Sequence, residues 1–144
     1  MFACETEKAG KYISIRATEV EPGTRWEDIQ YRFGLEKEVP ELVFPADASK
    51  GNPQMYFSHI KRGDDYRVSV RFSIGRYRYR VFSTTGDDLA GVEVADGQGK
   101  ILSTIRCVQR PYVFPTYLQR ALPCDLENPH GEAACGDRPF VEKK

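Results

Sequence analysis

The stretch RVSVRFSIGRYRYRVFS, Arg67–Ser83, alternates between apolar and polar residues along nearly its whole length. A period of two sends successive side chains to opposite faces of a strand. The segment therefore reads as two strands joined at Ile74–Gly75. Pairing about that turn sets Phe72 opposite Tyr77, Val70 opposite Tyr79 and Val68 opposite Val81, an apolar face that must be core. The other face pairs Ser73 with Arg76, Arg71 with Arg78, Ser69 with Arg80 and Arg67 with Phe82. A slip of one residue would drive arginines into the core, so the alternation fixes which face is buried. Ile74 is an awkward residue for a tight turn.

The same period recurs along the chain. Strands are predicted at Lys11–Arg16, Trp26–Phe33, Glu41–Pro45, Gln54–Ile60, Tyr66–Ser73, Tyr77–Ser83, Leu89–Ala95 and Lys100–Val108. Clusters of Gly, Pro, Asp and Asn separate them, and DGQG at Asp96–Gly99 reads as a hairpin turn. About eight short antiparallel strands must manage their edges, which predicts an all-β small barrel or curled sandwich. A single helix is expected over 114–122, with Pro115 in its first turn and Pro123 beyond its end. The 144 residues suit one domain: a β core over 1–108, then a helix, a disulfide-clasped loop and a tail over 109–144.

Lys plus Arg and Asp plus Glu both number 21, so no net field favours nucleic acid or an acidic membrane. No apolar run approaches the roughly 20 residues of a membrane helix. Charge is nevertheless uneven. Residues 61–80 hold seven basic and two acidic side chains. Arg67, Arg71, Arg78 and Arg80 share the outward face of the hairpin, and like charges opposite one another repel. Either Glu93, Asp64 or Asp65 neutralises the Arg71–Arg78 pair from within, or an anionic small molecule or glycan does so from outside. Arginine's planar fork suits carboxylates.

The cysteines are Cys4, Cys107, Cys124 and Cys135. Four cysteines allow three connectivities. Cys124 and Cys135 bracket a polar segment containing Pro and Gly, where a local bridge is natural, and Cys4 would then join Cys107. Four reduced thiols in a cytosolic protein are the alternative. Disulfides imply an oxidising compartment, periplasmic or secreted, and Met1 is then expected to stand in place of a removed leader.

Signals for catalysis are sparse. The two histidines, His59 and His130, are far apart in sequence, and no zinc-type or HExxH spacing occurs. Neither a nucleophile elbow nor a phosphate loop is present. Carboxylate pairs such as Asp64/Asp65 lie in turns, where solvated acids are usual. The chain is expected to be no enzyme, to hold no metal or cofactor, and to bind no nucleic acid. The segment SHIKRGDDY, Ser58–Tyr66, reads instead as a charged loop on a rigid sheet. Ser58, His59, Lys61, Arg62, Asp64 and Asp65 are its candidate partner-binding residues.

The motifs FACE, GKYISI, YRFG, YFSH, VRFSIGRYRYRVFS, GVEV, GKILSTIRC and LPCD form a layout that resembles small secreted bacterial proteins. In outline, over residues 2–108, it is similar to periplasmic inhibitors of C-type lysozymes. That resemblance implies a small antiparallel β-barrel whose N-terminal cysteine is tied to a late strand, and which inserts a loop into an enzyme's cleft. The inhibitors' Ser/Gly-rich loop motif is absent, and SHIKRGDDY stands in an analogous place. Immunity proteins against cell-wall-degrading toxins share the same layout of activity. A protein partner such as a peptidoglycan hydrolase is thus expected, engaged by a monomer or homodimer. A structural role in an envelope assembly is a further reading.

Overall fold

A computed structural model describes residues 1–127 and Cys135; of Arg62 only the backbone is described. His130 and the tail beyond Cys135 lie outside the described residues. The described residues form ten strands: β1 (Phe2–Glu5), β2 (Lys11–Glu21), β3 (Arg25–Leu35), β4 (Leu42–Phe44), β5 (Tyr56–Arg62), β6 (Asp65–Ile74), β7 (Tyr77–Thr84), β8 (Leu89–Ala95), β9 (Ile101–Arg106) and β10 (Tyr112–Val113). They make two five-stranded sheets, ordered β10-β1-β2-β3-β4 and β5-β6-β7-β8-β9, with every pairing antiparallel. Each of the eight expected strands is present. The two additional ones, β1 and β10, are short and lie together at one side of the first sheet.

The apolar faces meet between the sheets. Ile13, Ile15, Ile29 and Tyr31 of the first sheet pack against Phe57, Val70, Phe72, Val81 and Val92 of the second, all at most 2% exposed. Phe72 stacks between Phe44 (4.8 Å) and Tyr79 (5.3 Å), and Tyr31 tilts onto it at 5.0 Å. Each such ring contributes roughly 1.5–3 kcal/mol by burial. Burial, and then the neighbouring Tyr79, push the Tyr31 hydroxyl's pKa well above its ordinary value.

The two sheets are tied along one side. Thr6 bridges to Cys107, Glu7 N–H donates to Arg106 O, and the Cys4–Cys107 disulfide crosses the same place. The architecture is a sandwich stapled at that side. Helix α1 (Pro115–Ala121) closes one end. Its Leu118, together with Leu122 just beyond it, is fully buried, and Tyr117 tilts onto Trp26 at 4.6 Å. Asn52 fastens the helix to β3: its amide donates to Trp26 O and Ala121 O and accepts from Ile29 N.

The central hairpin departs from the expected pairing by two residues. Its turn is Gly75–Arg76, so Ile74 pairs with Tyr77, Phe72 with Tyr79, Val70 with Val81 and Arg71 with Arg80. Gly75 carries φ +59°, which suits the first central residue of a two-residue hairpin turn. Ile74 is β-branched and poorly suited to that conformation, and it packs instead at the margin of the core. A shift of two residues leaves every side chain on its original face, so the core and arginine faces stand as expected while the partners change.

Candidate functional site

The outer face of β6–β9 carries the arginines, and here the pairing decides their role. Arg71 directs a fork at Asp125: Nε donates to Oδ2 (2.9 Å) and Nη2 to Oδ1 (3.0 Å). Nη2 also reaches Glu127 at 3.3 Å, and the guanidinium lies 4.8 Å above the Tyr56 ring. The Arg71 side chain is 11% exposed and that of Asp125 7%. The hydrogen bond from Asp125 outweighs burial and raises the Arg71 pKa above its ordinary value, so the guanidinium stays charged. Arg78 faces the other oxygen of Glu127 at 3.7 Å. Arg80 donates twice to Glu93, its neighbour across to β8, and covers Phe82 at 5.2 Å.

Asp125 and Glu127 follow Cys124, which is bonded to Cys135. This clasp runs alongside β5, the outermost strand of its sheet. Phe57 N–H donates to Pro123 O, and Asp125 N–H to Phe57 O, both at 2.8 Å. Parallel bridges join Phe57 to Cys124 and His59 to Cys135. The clasp thus satisfies an edge that would otherwise offer unpaired backbone groups, and in the same step carries carboxylates over the arginine face. Of the expected neutralisers, Glu93 takes part, through Arg80. Asp64 and Asp65 do not face Arg71.

What remains of the face is a shallow groove of about 590 Å³, where Arg67 and Arg106 have no acidic partner among the described residues. Asp125, Glu127 and Arg106 escaped the sequence reading. The pattern CDLE does place acids beside a clasped cysteine, but it does not say which sheet face they reach.

The segment Ser58–Tyr66 is a strand hairpin rather than a loop. β5 runs through Arg62, the turn is Gly63–Asp64, and Arg62 pairs with Asp65. The candidate partner-binding residues accordingly divide. Ser58 is 7% exposed and shares a 2.6 Å hydroxyl contact with Ser69. His59 is half-buried, edge-on to Tyr66, and its Nε2 is buried without a hydrogen-bond partner among the described residues. Burial first, then Lys61, lower its pKa below the ordinary value. Lys61, Gly63, Asp64 and Asp65 are exposed. They overhang the sheet, because the last β6–β7 pair is Arg67 with Thr84 and only Tyr66 hydrogen-bonds beyond it, to Thr85.

Among the described residues no three His, Cys, Asp or Glu side chains are grouped to hold a metal ion, and no helix is long and apolar enough to cross a membrane. No family model, no curated protein and no solved structure matches this chain.

Proposed function

We propose that this protein is a secreted or periplasmic binding protein that inhibits a cell-wall hydrolase, a lysozyme-type enzyme or a delivered toxin, by presenting the β5–β6 tip to its cleft. The observation that carries the reading is the overhang of Lys61–Asp65. Lys61, Asp64 and Asp65 are exposed and charged, and both strands behind them are anchored, β5 by the clasp and β6 by β7. A tip held this way loses little conformational entropy on docking. Lys61 offers a cation to the catalytic carboxylates that line muramidase clefts, and charge of this kind sets on-rate and specificity. Two disulfides in the described fold support an oxidising compartment.

The arginine face supports the anionic-ligand reading less, because Arg71, Arg78 and Arg80 already have carboxylate partners. The test is titration of the protein into C-type lysozyme and toxin muramidases digesting peptidoglycan. Stoichiometric loss of activity is expected, and Lys61→Ala with Arg62→Ala should weaken it by more than about tenfold, or about 1.4 kcal/mol. Undiminished digestion at excess protein removes the reading, and unchanged inhibition by the double variant moves the site off the tip.

A further inference from the structure

The outer face of the first sheet holds a second recess that the charge pattern does not announce. Its floor is made of small residues in register: Ala3 pairs with Ser14, and Ser14 with Arg32. In the next row Tyr12 pairs with Gly34. Larger groups rise around this floor and enclose about 340 Å³, within the size range of small-molecule sites, roughly 300–1,000 Å³. Tyr112 pairs with Ala3 on the β10 side and is 76% exposed, a large aromatic face without cover.

The opposite wall is the chain after β3, folded back over Gly34. A Cβ at Gly34 would stand 2.8 Å from Glu41 N and 3.1 Å from Pro40 Cα, at a φ of +153° that side chains rarely adopt. Glu41 N–H donates to Phe33 O, and Lys11 pairs with the Glu41 carboxylate at 2.6 Å, so the wall is pinned from both sides.

Arg32, in the lining of this recess, is positioned by Gln30 from the neighbouring row. Gln30 is 7% exposed. Its amide nitrogen donates to Pro45 O (2.8 Å), and its oxygen accepts from Arg32 Nε (2.9 Å). A buried glutamine is thereby committed to holding one edge of Arg32, which leaves both terminal amino groups without a protein partner among the described residues. Arg16, cross-strand from Gln30, likewise has no acidic partner there. At the other end Glu5 and Glu36 lie close enough to Tyr12 to push its hydroxyl's pKa upward.

Two arginines lining one recess, one of them held by Gln30, form a carboxylate receptor. Glutamates beside a tyrosine form a receptor for hydroxyl donors, and an exposed ring is a platform for the apolar face of a sugar. A polyphosphate would meet the glutamates, and a simple aromatic acid would leave them without donors. The ligand that satisfies both ends carries one carboxylate and several hydroxyls.

We infer that this recess binds an acidic saccharide, its carboxylate on Arg32 and Arg16, its hydroxyls on Glu5 and Glu36, and a ring face against Tyr112. The site stands apart from the hairpin tip and does not depend on the inhibitor reading. The test is amide-resolved NMR titration of the full chain with digalacturonate and with sialyllactose, using lactose as the neutral comparison. Saturable shifts are expected at Ala3, Ser14, Arg32 and Gly34 with at least one acidic probe, and lactose should bind at least about tenfold more weakly.

Arg32→Gln and Tyr112→Ala should each weaken binding by about tenfold while leaving the spectrum dispersed. Gln30→Leu should weaken it too, with Arg32 still in place. Absence of saturable shifts with both acidic probes at millimolar concentration overturns the proposal. So do equal binding of lactose and shifts confined to residues outside the recess. Arg32→Gln leaves hydrolase inhibition unchanged, and the Lys61/Arg62 variant leaves saccharide binding unchanged, so the two readings fail separately.

Discussion

Replacing Asp125 with alanine should cost about 2–4 kcal/mol of stability, and the structure shows where that figure comes from. The Arg71 and Asp125 side chains are 11% and 7% exposed and joined by two hydrogen bonds. Removing one partner of a buried ion pair typically costs roughly 3–5 kcal/mol, because the remaining charge stays desolvated. Two contacts soften the loss: Glu127 at 3.3 Å and the Tyr56 ring at 4.8 Å both remain. Arg80, directly opposite Arg71 on β7, adds little repulsion, because its own charge is paired with Glu93.

Trp26 is 6% exposed and packed against the Tyr117 ring, so its fluorescence reports unfolding. In urea, the midpoint should fall while the slope stays constant, and thermally Tm should drop by about 8–16 °C, at about 4 °C per kcal/mol. Glu93→Ala provides the scale. Its pair with Arg80 is 45% and 24% exposed, and such pairs contribute under about 1 kcal/mol. Arg71→Met with Asp125→Leu should recover most of the loss, because the cost lies in an unpaired charge rather than in a missing attraction. An Asp125→Ala variant no less stable than Glu93→Ala would refute the reasoning.

Cys4 and Cys107 lie 103 residues apart and Cys124 and Cys135 only 11. Loop-closure entropy then predicts that serine at both positions costs about 4.7 kcal/mol for the first pair and about 2.8 kcal/mol for the second, read from urea midpoints. The second should also expose Arg71. Mass spectrometry of untreated protein should find no free thiols; four would overturn the compartment assignment. Phe72→Ala removes the ring between Phe44 and Tyr79 and should cost about 3–5 kcal/mol, with a cost under about 1 kcal/mol speaking against the inter-sheet core.

His59 has a pKa below its ordinary 6.5 in the folded chain, so the unfolded chain takes up the proton first. Its contribution to stability is therefore intact above pH 6.5 and is lost as pH falls from there towards the folded pKa. His59→Phe should flatten that part of the stability–pH curve, and an unchanged curve would assign the slope to other groups.

The faces of the strands were legible because alternation and burial are the same fact seen twice. Val68, Val70 and Phe72 read as inward and are at most 3% exposed. The hairpin register was less legible. The alternation is unchanged by a shift of two, and only the backbone demand of Gly75 separates the two pairings. β10 has two residues and no alternation to show, and β1 is hydrogen-bonded between it and β2. The divided fate of Ser58–Asp65 was not legible either, because the strand carries on past the point where its composition turns polar.

The arginine cluster shows most clearly what local pattern leaves out. Its partners, Asp125 and Glu127, lie some fifty residues further along the chain (|i−j| of 54 and 56) and reach it only because a disulfide folds their segment along β5. A cation cluster read from sequence looks like a surface awaiting an anion. Here the chain itself supplies carboxylates to Arg71, Arg78 and Arg80, and the Arg71–Asp125 pair helps hold the clasp along the edge strand, while Arg67 has no acidic partner among the described residues. The first sheet shows the reverse. Arg16 and Arg32 are separated in sequence and sit in a segment where acids outnumber bases, ten to seven over residues 1–50. A buried glutamine fixes one edge of Arg32, and among the described residues no carboxylate pairs with Arg16 or Arg32, unlike Arg71, Arg78 and Arg80 of the conspicuous cluster. Local charge density is thus a poor guide to which guanidinium groups stand unpaired in this fold, and the number of acceptors each already has is the better one.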